Sequence, residues 1–293
     1  MRDLFRTRNA AMRNVLETVE KVLDHDVSIL ILGESGVGKD HLAESIHASS
    51  IRRAEPYVHI DCATIPPELF ESELFGHERG TFTDAHTRKV GKLEAARRGT
   101  VYFDEISALT TQLQAKLLRA IEERRFTRLG GSASIPFEAR VISSTSEDPR
   151  ALRRDLYYRI NAVTLTLPPL RERAEDVLPL AKRFAPRKRF DAAAERLLAS
   201  YAWPGNIREL RNAIERALIL TDGDRITAAS LPIRTGEDLV AAASRGTWSL
   251  DELESHYIRE ILDATRRNYS RAAEILGINR KTLLEKRRKY GLP

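Results

Sequence analysis

Seven residues, Gly33-Glu34-Ser35-Gly36-Val37-Gly38-Lys39, limit the folds open to this chain more than any other stretch. They follow a short apolar run, Val27-Ser28-Ile29-Leu30-Ile31-Leu32, and precede a helical pattern. A G-x-x-x-x-G-K loop between strand and helix has a physical purpose. Its glycines let backbone N–H groups converge on phosphate oxygens, and the helix N-terminus adds partial positive charge. Lys39 then reaches toward β- and γ-phosphates. Asp40 stands where the general motif has a Ser or Thr on Mg²⁺, and a carboxylate there could hold the metal through water. The bland reading is a glycine turn that happens to precede a lysine; the strand in front argues against it.

Tyr57-Val58-His59-Ile60, Thr100-Val101-Tyr102-Phe103 and Arg140-Val141-Ile142-Ser143 are further strand-like runs, separated by helix-like sequence such as Leu113 to Ile121. Repeated strand and helix with apolar strands predicts an α/β fold, a parallel sheet covered by helices. The Thr100 run ends in Asp104-Glu105. A carboxylate at a strand's C-terminal edge beside a phosphate loop suits Mg²⁺, and its neighbour can orient or deprotonate a water. Asp-Glu after a strand is common by itself; joined to the phosphate loop, it points to binding and hydrolysis of a nucleoside triphosphate. From Ala174 to Leu231 the strand signal fades, predicting helices only.

Composition excludes several classes. At 42% hydrophobic and 31% charged residues, the chain is ordinary for a globular protein. Its length suggests about two domains. The apolar runs fall far below the ~18 residues of a bilayer span, and the start has no apolar leader core. One cysteine, Cys62, excludes an internal disulfide and fits a reducing, cytoplasmic setting. The formal net charge is +6, but it is unevenly placed: residues 266–290 carry nine Lys and Arg against two Glu. Such a tail is either a solvated helix face or a nucleic-acid contact.

The motifs together resemble the AAA+ activators of sigma-54 RNA polymerase. The resemblance rests on Gly33 to Lys39, Glu71-Ser72-Glu73-Leu74-Phe75-Gly76-His77-Glu78, Asp155-Leu156-Tyr157-Tyr158-Arg159, Leu167-Pro168-Pro169-Leu170-Arg171-Glu172-Arg173 and Trp203-Pro204-Gly205-Asn206-Ile207-Arg208-Glu209-Leu210. It implies an AAA+ parallel sheet over residues 1–172, an all-α lid over 173–231, a linker over 232–247 and a C-terminal helix-turn-helix domain over 248–293. It also implies ATP and Mg²⁺ as cofactors, and assembly into a hexamer that is a dimer when inactive. Arg153 and Arg159 occupy the positions of arginines that reach a neighbouring subunit's ATP; an i, i+4 pair with Asp155 is the alternative for Arg159. Arg208 matches the second-sensor arginine. Asp61 falls where relatives place Asn or Asp to hold Glu105, or is simply a strand-end acid. Ser146 replaces the Asn often found as first sensor.

Gly80-Thr81-Phe82-Thr83-Asp84-Ala85 corresponds to the family's sigma-54-contacting GAFTGA loop, with Thr81 and Asp84 as departures. Retained Phe82 and Thr83 favour a working contact; the alternative is a loop that has lost its target. In the tail, Ser270 to Leu283 reads as helix, glycine turn, helix, with Ser270 and Asn279 as N-caps and Ala272, Ala273, Leu276, Ile278 and Leu283 as its core. The unit resembles the family's Fis-type domain and implies contacts to double-stranded DNA from Ser270, Arg271, Asn279, Arg280, Lys281, Thr282, Lys286 and Arg287. Little sequence precedes the phosphate-loop domain, as in the subgroup without an N-terminal regulatory domain, where a separate regulatory protein acts in trans; a piece of a longer chain whose N-terminal domain was removed is the alternative. Thr7 and Asn9 replace the Gly and Ser often found in the opening segment. A DNA-binding regulator with an ATP-responsive assembly switch, independent of sigma-54, is the competing function; a clamp-loading or replication ATPase fits the Leu74 to Ala85 segment poorly.

Overall fold

The computed structural model describes residues 7–82, 86–233, 249–265 and 267–292. Thr83, Asp84 and Ala85, most of the expected linker with Trp248, and Arg266 lie outside the described residues.

Five parallel strands form one sheet: β1 (Ile29–Leu32), β2 (Tyr57–Asp61), β3 (Thr100–Asp104), β4 (Arg140–Thr145) and β5 (Val163–Thr166), in the order β2-β3-β4-β1-β5. Four of them lie where the apolar runs placed them. Val27 and Ser28 fall outside β1, and β4 continues two residues further than expected. The fifth, Val163–Thr166, is a four-residue edge strand with only Leu165 buried, too short and too exposed to be marked by an apolar run.

Strand side chains alternate between two apolar layers, as the two-residue period requires. Leu30, Val101, Phe103 and Val141 pack with helices α3 (Pro67–Phe75), α4 (Lys92–Ala95), α5 (Thr111–Glu123) and α6 (Arg154–Ile160). Ile29, Ile31, Tyr102 and Ile142 pack with α1 (Ala10–Val22) and α2 (Lys39–Ser49) on the other face. Helix α1 buries Met12, Val15, Leu16 and Val19, the i, i+3, i+4, i+7 spacing of a one-sided helix. Its N-cap is Asn9, whose side chain accepts from the Met12 amide.

The lid contains α7 (Ala174–Phe184), α8 (Ala192–Ser200) and α9 (Asn206–Ile219) around Leu170, Leu198, Trp203, Leu210 and Ile214. It is not wholly helical: Arg189–Phe190 and Arg225–Ile226 pair as a two-residue parallel ladder. Two residues are too short to leave a periodic signal, so the expectation of helices only needs this correction. At the C-terminus α10 (Leu250–Ala264), α11 (Tyr269–Ile275) and α12 (Arg280–Lys289) close on Ile258, Leu262, Ala272, Ala273 and Leu283. Leu276 and Ile278 are only partly buried there. Ser270 does not cap α11; Asn268 does, accepting from the Arg271 amide, while Asn279 caps α12 as expected.

Candidate active site and nucleic-acid interface

The phosphate loop leaves the C-terminal end of β1 and enters α2, so residues 33–39 lie where a parallel sheet opens its crevice. Gly38 precedes α2 with φ 104°, which a side chain would strain. Gly36 is required for a second reason: a Cβ there would stand 2.5 Å from the Gly205 carbonyl. The Gly36 carbonyl accepts from the Ile207 and Arg208 amides at 2.9 and 3.3 Å. The loop is thus clasped by the lid as well as shaped for phosphate.

Lys39 is buried, and its Nζ lies 3.0 Å from both the Gly33 carbonyl and Glu105 Oε1. Glu105 Oε2 accepts from the Ser146 amide at 2.8 Å and the Ser146 hydroxyl at 2.9 Å. Burial pushes the Glu105 carboxyl up, but the Ser146 amide and Lys39 outweigh it and hold the group below its ordinary value. Its backbone is left-handed, φ 50° and ψ 52°, a conformation non-glycine residues adopt at a cost and often at functional sites. Ser146 therefore contacts Glu105 through both its amide and its hydroxyl.

Asp61 does not hold Glu105. Its Oδ1 accepts from the Ala63 and Thr64 amides at 3.0 and 3.2 Å, tying off the turn after β2. Among the described residues the carboxylate is engaged through Oδ1 alone, in an Asx turn local to the end of β2. Asp104 and Asp40 meet at the Tyr102 hydroxyl, 3.0 and 2.9 Å away.

Glu34 faces the lid. Arg171 grips its carboxylate with two bonds at 2.7 and 2.9 Å, and Asn206 Nδ2 adds a third at 3.1 Å. Asn206, fully buried with φ 55°, also donates to the Ser35 carbonyl and accepts from the Leu170 amide. Arg208 Nη1 reaches Ser35 Oγ at 2.8 Å. A cavity of about 980 Å³ lies between loop and lid, lined by residues 35–41, Asp104, Glu105 and Arg208 among others. Arg171 and Asn206 stood inside recognised motifs, but their contacts to Glu34 cross more than 130 positions and left no local signal.

Arg153 and Arg159 do not line this cavity. Arg153 pairs with Asp155 at 2.7 Å, so the expected alternative of an Asp155–Arg159 bridge is not observed; Arg159 donates to the Ile121 carbonyl at 3.3 Å. Both project from the segment around α6.

Gly80, Thr81 and Phe82 are described, and the rest of their loop is not. Thr81 Oγ1 donates toward the Glu78 and Leu129 carbonyls at 2.6 and 3.0 Å. Phe82 is 45% exposed with its ring edge on His77. Beneath them Arg128, itself buried, bonds Glu78 at 2.7 Å and Glu94 at 2.6 Å, joining the loop's root to α4.

The basic tail divides into two groups. Lys286 pairs with Glu254 at 2.6 Å, Lys289 with Asp251 at 2.8 Å, Arg271 with Glu274 at 2.7 Å, and Arg287 bonds the Tyr269 hydroxyl at 2.7 Å. Arg280 and Lys281, exposed at the start of α12, have no partner among the described residues. Thr282 donates its amide to the Asn279 cap, and Ser270 lies within α11. Sequence alone could not separate cations that brace α10 from cations left for a ligand.

A profile of the Sigma-54 interaction domain matches residues 5–166, one of the AAA+ ATPase lid domain matches 171–247, and one of the Bacterial regulatory protein, Fis family, matches 249–290. The chain is 44% identical to the transcriptional regulatory protein ZraR of Klebsiella oxytoca, over 94% of this chain and 66% of that protein. It is 39% identical to the regulatory protein AtoC of Escherichia coli, over 98% of this chain and 67% of that one. The crystal structure of NtrX from Brucella abortus in complex with ATP superposes with a TM-score of 0.71 at 33% identity, covering 97% of this chain and 68% of that one. The chain thus spans about two thirds of the length of these relatives. With the phosphate loop, the paired strand-end acids, the lid and the C-terminal helical unit in one order, this chain belongs to the sigma-54-dependent transcriptional activators, AAA+ ATPases that carry a Fis-type helix-turn-helix.

Proposed function

We propose that this chain uses ATP hydrolysis to convert the closed complex of sigma-54 RNA polymerase to the open one, while its helix-turn-helix holds upstream double-stranded DNA. The observation that carries the reading is the convergence of Lys39, Glu105, Ser146 and Arg208 on the phosphate loop. Loop amides and Lys39 take the phosphates, and an arriving γ-phosphate competes with Glu105 for Lys39. Glu105, held by Ser146, then orients and deprotonates the attacking water. Arg208 reports the nucleotide to the lid.

Hard carboxylate oxygens of Asp104 and Asp40 beside the phosphate loop suit Mg²⁺, which takes one or two carboxylates together with phosphate oxygens and water. Asp104 would hold it, with Asp40 acting through water, and it would supply positive charge against the phosphates. Arg153 and Arg159, outside the chain's own cavity, serve the site of a neighbouring copy, which requires a ring, a hexamer that forms from dimers. Gly80 to Ala85, with Phe82 and Thr83 at its tip, engages sigma-54. A trans-acting regulatory protein and a bacterial cytoplasmic location complete the reading; among the described residues no helix is long and apolar enough to cross a membrane.

The test is open-complex formation by sigma-54 polymerase on a closed promoter with hydrolysable ATP, comparing wild type with Phe82→Ala and Thr83→Ala. ATP-dependent opening lost in both variants, with ATPase retained, is the expected outcome. Wild-type ATPase without any opening would transfer the function to a sigma-54-independent DNA-binding regulator.

A further inference from the structure

Tyr102 is fully buried at the centre of β3, between the apolar Val101 and Phe103. It belongs to the apolar cluster of Ile29, Ile31, Leu42, Ala43 and Ile142, and its ring centroid lies 5.0 Å from that of His59 and 6.4 Å from that of Tyr57. Phenylalanine would fill that layer equally well, so the hydroxyl calls for its own explanation. Tyr102 and Asp104 are two apart on β3 and therefore face the same side, toward α2. The hydroxyl oxygen consequently emerges at the polar edge of the layer, 2.9 Å from Asp40 Oδ1, 3.0 Å from Asp104 Oδ1 and 2.9 Å from Ser144 Oγ.

Proton counting assigns these contacts. Each hydroxyl has one proton to donate. Ser144 Oγ lies 2.6 Å from Asp104 Oδ1, the shortest contact of the group, and its own lone pair receives the Glu105 amide at 3.3 Å. Its proton therefore goes to Asp104, which leaves the phenol proton for Asp40. The two carboxylates come from different elements, Asp40 from the first turn of α2 and Asp104 from the end of β3. Held together without donors, they would repel one another. Two fully buried hydroxyls from adjacent strands bind one oxygen of each. Both Oδ2 atoms have no hydrogen bond among the described residues, and both residues line the nucleotide cavity.

We propose that Tyr102 and Ser144 are positioning residues that key Asp40 to Asp104 and aim their open oxygens at the divalent cation accompanying ATP. The proposal rests on the Mg²⁺ reading above and deepens it. Neither Tyr102 nor Ser144 lines the nucleotide cavity. Their work is to fix the spacing of two acids before the ligand arrives, so that ordering them is not charged against binding.

The experiment is a Mg²⁺ titration of the binding of a fluorescent non-hydrolysable ATP analogue to the full chain. Tyr102→Phe keeps the ring and removes only the oxygen. It should raise the Mg²⁺ concentration at half-saturation about ten-fold, leaving the affinity measured in EDTA unchanged. Adding Tyr102→Phe to Asp40→Asn should cost little beyond Asp40→Asn alone, which a general loosening of the core would not reproduce. Should Tyr102→Phe fail to fold, Ser144→Ala carries the same expectation through Asp104. A half-saturation point unmoved in Tyr102→Phe, but raised in Asp104→Asn, overturns the positioning role and leaves the metal reading standing. Mg²⁺-independent binding in both wild type and Asp104→Asn overturns both.

Discussion

Lys39 Nζ stands 3.0 Å from Glu105 Oε1, joining the cation of the phosphate loop to the acid that follows β3. Each group is thereby neutralised until phosphate separates them. Lys39→Ala should abolish nucleotide binding, whereas Glu105→Gln should bind ATP and turn it over at least ~100-fold more slowly, the range of general-base loss. Calorimetric binding and phosphate release measure the two; equal turnover in either variant would remove both residues from the site.

The same pair makes a pH prediction. The Glu105 carboxyl is lowered on folding, against burial, by Ser146 and Lys39. A lowered carboxyl contributes stability above its unfolded value of about 4.3, and that contribution disappears as pH falls through the folded value. Urea denaturation of wild type and Lys39→Met should therefore differ most above about pH 5 and converge on acidification. A difference constant through the acid range would mean that Glu105 is not held by Lys39.

Arg153 and Arg159 do not line the cavity of their own chain, so their effect should complement between subunits. Arg153→Ala and Arg159→Ala should each lower ATPase by roughly 10³-fold or more. Mixing either with Lys39→Ala subunits should restore part of it, since one partner then supplies the arginine and the other an intact phosphate loop. Failure at every mixing ratio would count against action in trans.

Thr81 rests directly on Gly130: a Cβ added to that glycine, whose φ is +69°, would lie 2.4 Å from Thr81 Oγ1. Gly130→Ala should cost about 1–2 kcal/mol for the left-handed backbone alone, plus a clash. Placing it in Thr81→Ala should recover the clash and not the backbone part. A double-mutant cycle by denaturation reads the coupling, and full additivity would mean the two do not touch. Because Thr81 also bonds the Leu129 carbonyl, Thr81→Ala should hasten chymotryptic cleavage at Phe82.

In the C-terminal unit, Arg280→Ala and Lys281→Ala should weaken DNA binding and each flatten its salt dependence by a slope of about one. Lys286→Ala should act chiefly on folding, since Lys286 braces α12 against Glu254 of α10. Fluorescence anisotropy at several salt concentrations, with thermal melting alongside, separates the two classes. A loss of affinity at Lys286 without a loss of stability would return it to the DNA contacts.

What the sequence determined by itself was everything carried by local order. The phosphate loop requires a strand before it and a helix after it, and apolar runs bury strands on both faces. Four sheet strands, the Asp104-Glu105 edge and the Asn279 cap were legible for that reason. The tertiary structure decided which polar groups meet. Glu34 was taken by Arg171 and Asn206 of the lid, and Tyr102 was brought between Asp40 and Asp104. The tail's cations were likewise divided between partners on α10 and α11 and open solvent. Periodicity fixes which face of an element is apolar. Pairing between charges depends on how elements far apart in the chain come to pack, and only the assembled fold supplies that.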